Sequence, residues 1–324
     1  MKNLSKIAKI TAGAVIASSL FAPAIFAQQS SGNSGVGIEV SSPLYEYTIA
    51  AGKVQQDIIK IKNVGGSEQT YYPEVLDFKS DNKSGTPIFL NKGEDSGTYS
   101  LAKWVSVSSV GITLSPNESA ALNFNITVPA DAEPGGHYAG ILFSTQPPDP
   151  TGTNQIGLAS KVGSLVLVRV AGTAKESAVI KSFTSDKQSY DNASAVKFST
   201  TVTNNGNVHV QPKGVITIKN IFGGQVAAAD VNQLSANILP GSDRIFDTVW
   251  KDPGFKLGYY TATITLNYGS PAQTITSQTS FWIIPWMTLL VLAVLLILLI
   301  VALYFAIKRY NHWIISKSNN KTVA

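Results

Sequence analysis

Trp286 to Ile307 is a run of 22 residues without a charge, most of them Leu, Ile, Val and Ala. A helix rises about 1.5 Å per residue, so the run reaches roughly 33 Å, enough to cross the hydrocarbon core of a bilayer. A helix apolar all round belongs inside a large protein or inside a membrane, and nothing else in this chain could surround it. The run therefore predicts a transmembrane helix over 286–307. Trp282 and Trp286 stand at one end and Tyr304, Tyr310 and Trp313 at the other, as interfacial aromatic belts do. Lys308 and Arg309 follow at once, and the positive-inside rule assigns 308–324 to the cytoplasm as a basic tail. Trp282, Trp286, Lys308 and Arg309 are the expected membrane-interface anchors.

The N-terminus reads as a secretory signal peptide, 1–27. Lys2, Lys6 and Lys9 form its basic region and Ile10 to Phe21 its apolar one. Cleavage after Ala27 is favoured because the polar Gln28-Gln29-Ser30 follows, and Ala24 is the other small-residue site. An uncleaved anchor would need a longer apolar run. The two signals together predict a single-pass protein with its bulk outside the cell membrane. A span followed by a basic tail also resembles a sortase sorting signal. The nearest candidate motif, Leu239-Pro240-Gly241-Ser242, lies far upstream of the span and lacks the Thr, so a retained anchor is expected.

Charge supports this layout. The net charge is +5 and the pI near 9.1, yet residues 1–27 carry +3, 283–324 carry +4, and 28–282 carry −2. A nucleic-acid binder needs its basic surface on the folded part, and here that part is slightly acidic. The chain has no cysteine, so disulfide staples, thiolate metal sites and cysteine nucleophiles are excluded.

Between the ends, period-2 alternation and turn signals prevail. Leu122-Asn123-Phe124-Asn125-Ile126-Thr127-Val128 alternates cleanly, while Tyr138 to Thr145 and Ser164 to Val170 are more fully apolar, as central strands are. Pro73 within Gln69 to Phe78 suggests an edge or bulge. Residues 80–100 form the longest irregular stretch. A second series of strands begins near Ala178. The expected fold class is all-β: a flexible lead 28–37, one Ig-like sandwich over 38–175, a second over 176–283, and then the single helix.

The halves repeat one unit. A strand ends in an Asn/Gly turn at Asn63 and again at Asn204, and a proline turn precedes a strand at Pro116 and again at Pro240. Gly136-His137-Tyr138 then matches Gly258-Tyr259-Tyr260, with the tyrosine 22 residues after the proline in one half and 20 in the other. Tyr138 and Tyr260 are expected to serve the fold, as a tyrosine corner does.

Catalytic constellations are sparse. His137, His209 and His312 have no partner at metal-ligand spacing. Ser-x-x-Lys at Ser80, Ser100 and Ser318 lacks the partner motifs that acyl-enzymes need. Acids cluster only loosely, at Glu94-Asp95 and Asp131-Ala132-Glu133. No enzyme, cofactor or metal is expected. The remaining resource is aromatic: Tyr71, Tyr72, Trp104 and the turn at His137 are the ligand-binding candidates, with core packing as the competing reading. Adjacent Tyr71 and Tyr72 must point to opposite faces of a strand.

The stretch Ala130-Asp131-Ala132-Glu133-Pro134-Gly135-Gly136-His137-Tyr138-Ala139-Gly140-Ile141-Leu142-Phe143 resembles the peptidoglycan-binding-type domain of the bacterial WxL-interacting surface proteins. Asn63, Leu114 with Pro116, Val128-Pro129 and Pro134-Gly135-Gly136 carry the resemblance, over about 40–175. It implies an Ig-like fold and adhesion at the cell surface, with peptidoglycan or another surface protein as partner. The chain departs from that family in having almost no spacer before its span. The expected function is a non-enzymatic surface protein that binds cell-envelope polysaccharide or another surface protein. The alternatives are an assembly module that captures partner strands by β-augmentation and an accessory domain of envelope hydrolysis.

Overall fold

The computed structural model describes residues 37–147, 161–191, 195–251 and 256–319. The expected signal peptide, 1–27, and nearly all of the lead 28–37 lie outside the described residues.

Strand follows strand through the first half: β1 (Ile38–Val40), β2 (Leu44–Ile49), β3 (Val54–Asn63), β4 (Gln69–Ser80), β5 (Pro87–Phe89), β6 (Val105–Val107), β7 (Ile112–Leu114), β8 (Ser119–Thr127), β9 (Gly135–Ser144) and β10 (Lys161–Val170). Alternation decides which side chains go inward. In β8, Leu122, Phe124 and Ile126 are buried and the residues between them are not. One sheet has the order β1-β3-β8-β6 and the other β2-β10-β9-β4-β5, with β7 pairing β4. Their facing sides enclose a core that includes Ile59, Ile61, Phe124, Ile126, Ile141 and Phe143.

The second half gives β11 (Ala178–Ser185), β12 (Ser189–Tyr190), β13 (Val196–Asn204), β14 (Lys213–Asn220), β15 (Gln225–Val231), β16 (Asp243–Trp250), β17 (Gly258–Tyr268) and β18 (Gln273–Ile283). Its sheets are β11-β13-β16 and β12-β18-β17-β14-β15. These orders reproduce β1-β3-β8 and β2-β10-β9-β4-β5 position by position. In both halves the opening strand is divided between the sheets. Its first part pairs antiparallel with the next long strand (β1 with β3, β11 with β13), and its second part pairs parallel with the last strand (β2 with β10, β12 with β18). Each half is an Ig-like β-sandwich, and the chain is all-β up to one C-terminal helix, α1 (Trp286–Asn319).

The repeat extends to side-chain hydrogen bonds. Asn63 ends β3, is fully buried, and donates through Nδ2 to Ser67 O at 2.8 Å and Leu114 O at 2.9 Å, while its Oδ1 accepts from Gly65 N at 2.8 Å. Asn204 ends β13, is equally buried, and does the same with Val208 O at 2.8 Å, Ile238 O at 2.9 Å and Gly206 N at 2.8 Å. The backbone carbonyls of the two asparagines accept from Asn117 N and Gly241 N, both residues with positive φ at the equivalent point of the proline turn. A short amide saturates three backbone groups that water cannot reach.

Two local expectations resolve in physical terms. Pro73 is buried opposite Phe143 of β9. On its other flank β4 pairs β7 only at 69–71 and β5 only at 78–80, so Pro73 stands at a local edge where no N–H is required. The helix does not stop at Ile307: it continues through Lys308 and Arg309 to Asn319, because that segment contains neither Gly nor Pro.

The clamps give a stability prediction. Asn63→Ala or Asn204→Ala leaves buried carbonyls and an N–H without partners, and each should cost about 2–4 kcal/mol in urea unfolding. Asn63→Asp should cost as much, because a carboxylate cannot donate. Losses under about 1 kcal/mol for both alanine variants would contradict the clamp.

Candidate functional site

The aromatic candidates are engaged in packing. Tyr71 is not a ligand surface: it is fully buried in the first core, with its hydroxyl 2.9 Å from Gly37 O and 3.0 Å from Asn63 Oδ1. Burial also raises its pKa. Tyr72, on the opposite face, is half-buried with its ring against Gly111, where an added Cβ would lie 2.6 Å from the ring. Trp104 closes a single helical turn, Ala102–Trp104, and its ring lies on that of His137 with centroids 4.2 Å apart. His137 is buried, its Nδ1 3.0 Å from Ser100 O, and burial lowers its pKa. The four candidates are brought together only as this one Trp104–His137 pair. Trp282 remains half-exposed, edge-on to Tyr259, and Trp286 is more exposed still. Lys308 and Arg309 are exposed on α1.

A feature that the single-residue reading missed is the joint between the sandwiches. Every residue of β9 is buried, on both faces of its sheet. The outer face carries Tyr138 in a small cluster with Phe78, Leu167, Phe89 and Tyr99, and Leu239 of the second sandwich packs against it. The Tyr138 hydroxyl accepts from His209 N at 2.8 Å. Tyr138 is thus a residue of the joint, whereas its repeat partner Tyr260 lies in the second core against Phe281. Asn207 ties three segments: its carbonyl accepts from Gly136 N at 2.8 Å, its Nδ2 donates to Pro134 O at 2.9 Å, and its Oδ1 accepts from Lys175 N at 2.8 Å. Glu46 of β2 accepts from Gln211 and Asn237. Lys83 O accepts from Ile245 N of β16 at 2.7 Å. The end of the 80–100 stretch is held to β4 by Asp77, on the core side of its sheet, which accepts from Ser96 N, Leu101 N and Ala102 N at 2.8–3.0 Å.

The joint decides which sheet edges stay open. β1, β5 and β6 have only three residues each and β12 two. β2 is held at the Glu46 side chain, with Leu44, Glu46 and Thr48 exposed. β11 is interrupted by a register shift at Lys181, and β16 is both charged and partly capped by Lys83. β15, Gln-Val-Ala-Ala-Ala-Asp-Val, is an edge of seven residues without Pro, Lys or Arg; its own register shift falls at Val226, beyond which 227–231 pair regularly with β14. Natural edges are usually blunted by lysine, proline, bulges or shortness. Beside the end of β15 lies a groove of about 360 Å3, lined by Asp230, Leu234, Arg244 and Phe246 among others. Among the described residues no group of three or more His, Asp or Glu could hold a metal ion.

No family model matches the chain, and no curated protein does. Solved structures similar to it include a chaperone–tip adhesin complex of CFA/I fimbriae (13% identity, TM-score 0.38, 75% of this chain and 98% of that one). The class 5 fimbriae chaperone CfaA is similar at 10% identity and TM-score 0.38, over 75% and 98%. The E. coli chaperone DraB is similar at 12% identity and TM-score 0.33, over 76% and 94%. The sandwich assignment rests on the strand orders above.

Two predictions follow from the joint. Asn207→Gly installs the residue found at the equivalent place of the first turn, Gly66. It should leave both sandwiches folded but uncouple them, seen as two calorimetric transitions in place of one. A single unchanged transition would refute the role of Asn207. Burial also lowers the pKa of His137 and of His209, from 6.5. Below about pH 6.5 the unfolded chain therefore binds more protons than the folded one, and stability must fall as the medium is acidified toward the folded-state values. The thermal midpoint should drop between about pH 6.5 and pH 5.5, a window in which ordinary carboxylates stay ionised. Replacing both histidines by Gln should flatten that drop.

Proposed function

We propose that this chain is a membrane-anchored, non-enzymatic assembly module that captures an extended segment of a partner protein on the β15 edge. The observation that carries the reading is the β15 edge itself: at the end of the larger sheet of the second sandwich, this small-residue, nearly uncharged strand is unpaired on its outer side among the described residues. An incoming strand would find a row of backbone donors and acceptors there, and the groove at Leu234 and Phe246 could take its side chains. The anchor is α1, long and apolar enough to cross a membrane from Trp286 to Trp313, with the sandwiches outside and the basic end inside. The polysaccharide-binding reading has less support, since Tyr71 is in the core and the Trp104 ring packs against His137, with Tyr72 half-buried on the other face.

Site-specific photocrosslinking in cells that make the full chain tests this. A crosslinker at Ala228 should give one discrete protein adduct that survives wall digestion. Ala227→Pro and Ala228→Pro complete the test. Successive N–H groups of a strand point to opposite sides, so one variant breaks pairing with β14 and the other blocks only the outer edge. The variant that keeps the wild-type thermal midpoint should lose at least about 90% of the adduct, since capture through the strand needs those hydrogen bonds. An adduct unaffected by that variant, or one removed by wall digestion, would exclude strand capture at β15.

A further inference from the structure

We infer that the end of the second sandwich from which α1 departs is a lipid-docking surface, with Ile221 and Phe222 as apolar prongs in the interface of an anionic bilayer. This rests on the membrane-anchor reading and goes beyond it.

Strand register locates the surface. Asn220, the last residue of β14, pairs Tyr260, and Tyr260 pairs Phe281. Two residues past Phe281, β18 ends at Ile283. The β14–β15 turn extends a similar distance past Asn220, so Phe222 stands level with the end of β18, within about 7 Å at 3.3 Å per residue. Only Ile284 and Pro285 separate β18 from α1. Two residues reach no more than roughly 7 Å, about the depth of one interfacial zone of a bilayer. The sandwich end cannot leave the membrane surface while α1 spans it. The first sandwich is joined at the opposite end, where Asn204 to Asn207 and Leu239 lie.

The turn is built to present its apolar residues. Asn220 Oδ1 accepts from Phe222 N at 3.0 Å and Gly224 N at 2.9 Å, its carbonyl accepts from Gly223 N, and its own N donates to Gly224 O. Gly223 takes the positive φ (80°) that closes the turn. Phe222 is 92% exposed and Ile221 68%. One exposed apolar residue means little, but Leu257 and Trp282 are exposed at the same end, and Trp286 opens the helix. Interfacial proteins use this mixture of aliphatic and aromatic prongs. Among the described residues, exposed Lys187, Lys219 and Lys251 lie at this end too, with Asp186 and Asp191 nearby. The Asp186 carboxylate is already engaged by Tyr190 Oη and Lys197 N. Lysines around apolar prongs suit phosphate-bearing, negatively charged headgroups.

The absence of native cysteine allows a clean test. Full chains carrying Ile221→Cys, Leu234→Cys or Leu295→Cys are nitroxide-labelled in vesicles of phosphatidylglycerol and phosphatidylethanolamine. Collisions with lipid-soluble oxygen and with a water-soluble nickel chelate are then compared. The label at 221 should favour oxygen several-fold, in the sense of the label at 295, while the label at 234 favours the chelate. Phe222→Ser, at an exposed position where folding is not at risk, should move the 221 label toward water. A watery signal at 221 with a lipid signal at 295 overturns the inference and leaves the anchor standing. A watery signal at both overturns the anchor and the inference with it. Shielding of 221 from both reagents identifies a protein occupant and overturns lipid docking.

Discussion

The architecture turns on a buried asparagine at the end of a strand. In each sandwich that side chain fixes its own turn through Gly65 or Gly206 and reaches a segment distant in sequence through Leu114 O or Ile238 O. Each sandwich must be held without disulfides, because the chain has no cysteine. A buried amide with every bond made is strongly specifying, since any slip of register leaves it and its carbonyl partners unsatisfied. The second copy has a further consequence. The turn that Asn204 holds rigid is the one that carries Asn207 to Pro134 and Gly136 of the first sandwich.

That joint then determines what is left for function. Docking the sandwiches covers the outer face of β9 with Leu239, ties β2 to Gln211 and Asn237, and lays Lys83 along β16. A sandwich of this topology has several edges, and the joint and the shortness of some strands blunt part of them. The β15 edge begins at the turn carrying Ile221 and Phe222 and runs from there toward the joint. The two proposed surfaces are therefore consecutive parts of one hairpin.

Much of this was legible in the sequence, for a reason that differs by feature. Turn chemistry is local, so Asn63 and Asn204 announced themselves, as did the proline turns they bond. The apolar span needed only its length. Whether Tyr71 or Tyr72 would be buried could not be read, because parity along a strand depends on which neighbours pair with it. The joint could not be read either, since its contacts link residues such as Tyr138 and His209 that lie far apart in the chain. Two traces of it were nonetheless present. Tyr138 to Thr145 is apolar on both faces, which an exposed outer face would not require. And the two turns differ at Val64 against Asn205 and at Gly66 against Asn207, and the second difference supplies the side chain that ties the joint.

The same logic bears on charge. The folded part carries −2 overall, yet the membrane-side end of the second sandwich presents Lys187, Lys219 and Lys251. A weakly acidic module would be repelled on average by an anionic surface, but repulsion falls off within about 8–10 Å in physiological salt. Only the charges nearest the headgroups then count, and on the proposed reading Lys187, Lys219 and Lys251 are among them. With the end held at the bilayer, β15 rises away from the membrane plane from a base about one loop above it. A strand added to it would run along the membrane normal, and its own chain would have to enter or leave at the lipid surface. On the proposed reading, this favours partners that are themselves anchored in, or pressed against, the same membrane over partners diffusing free outside it.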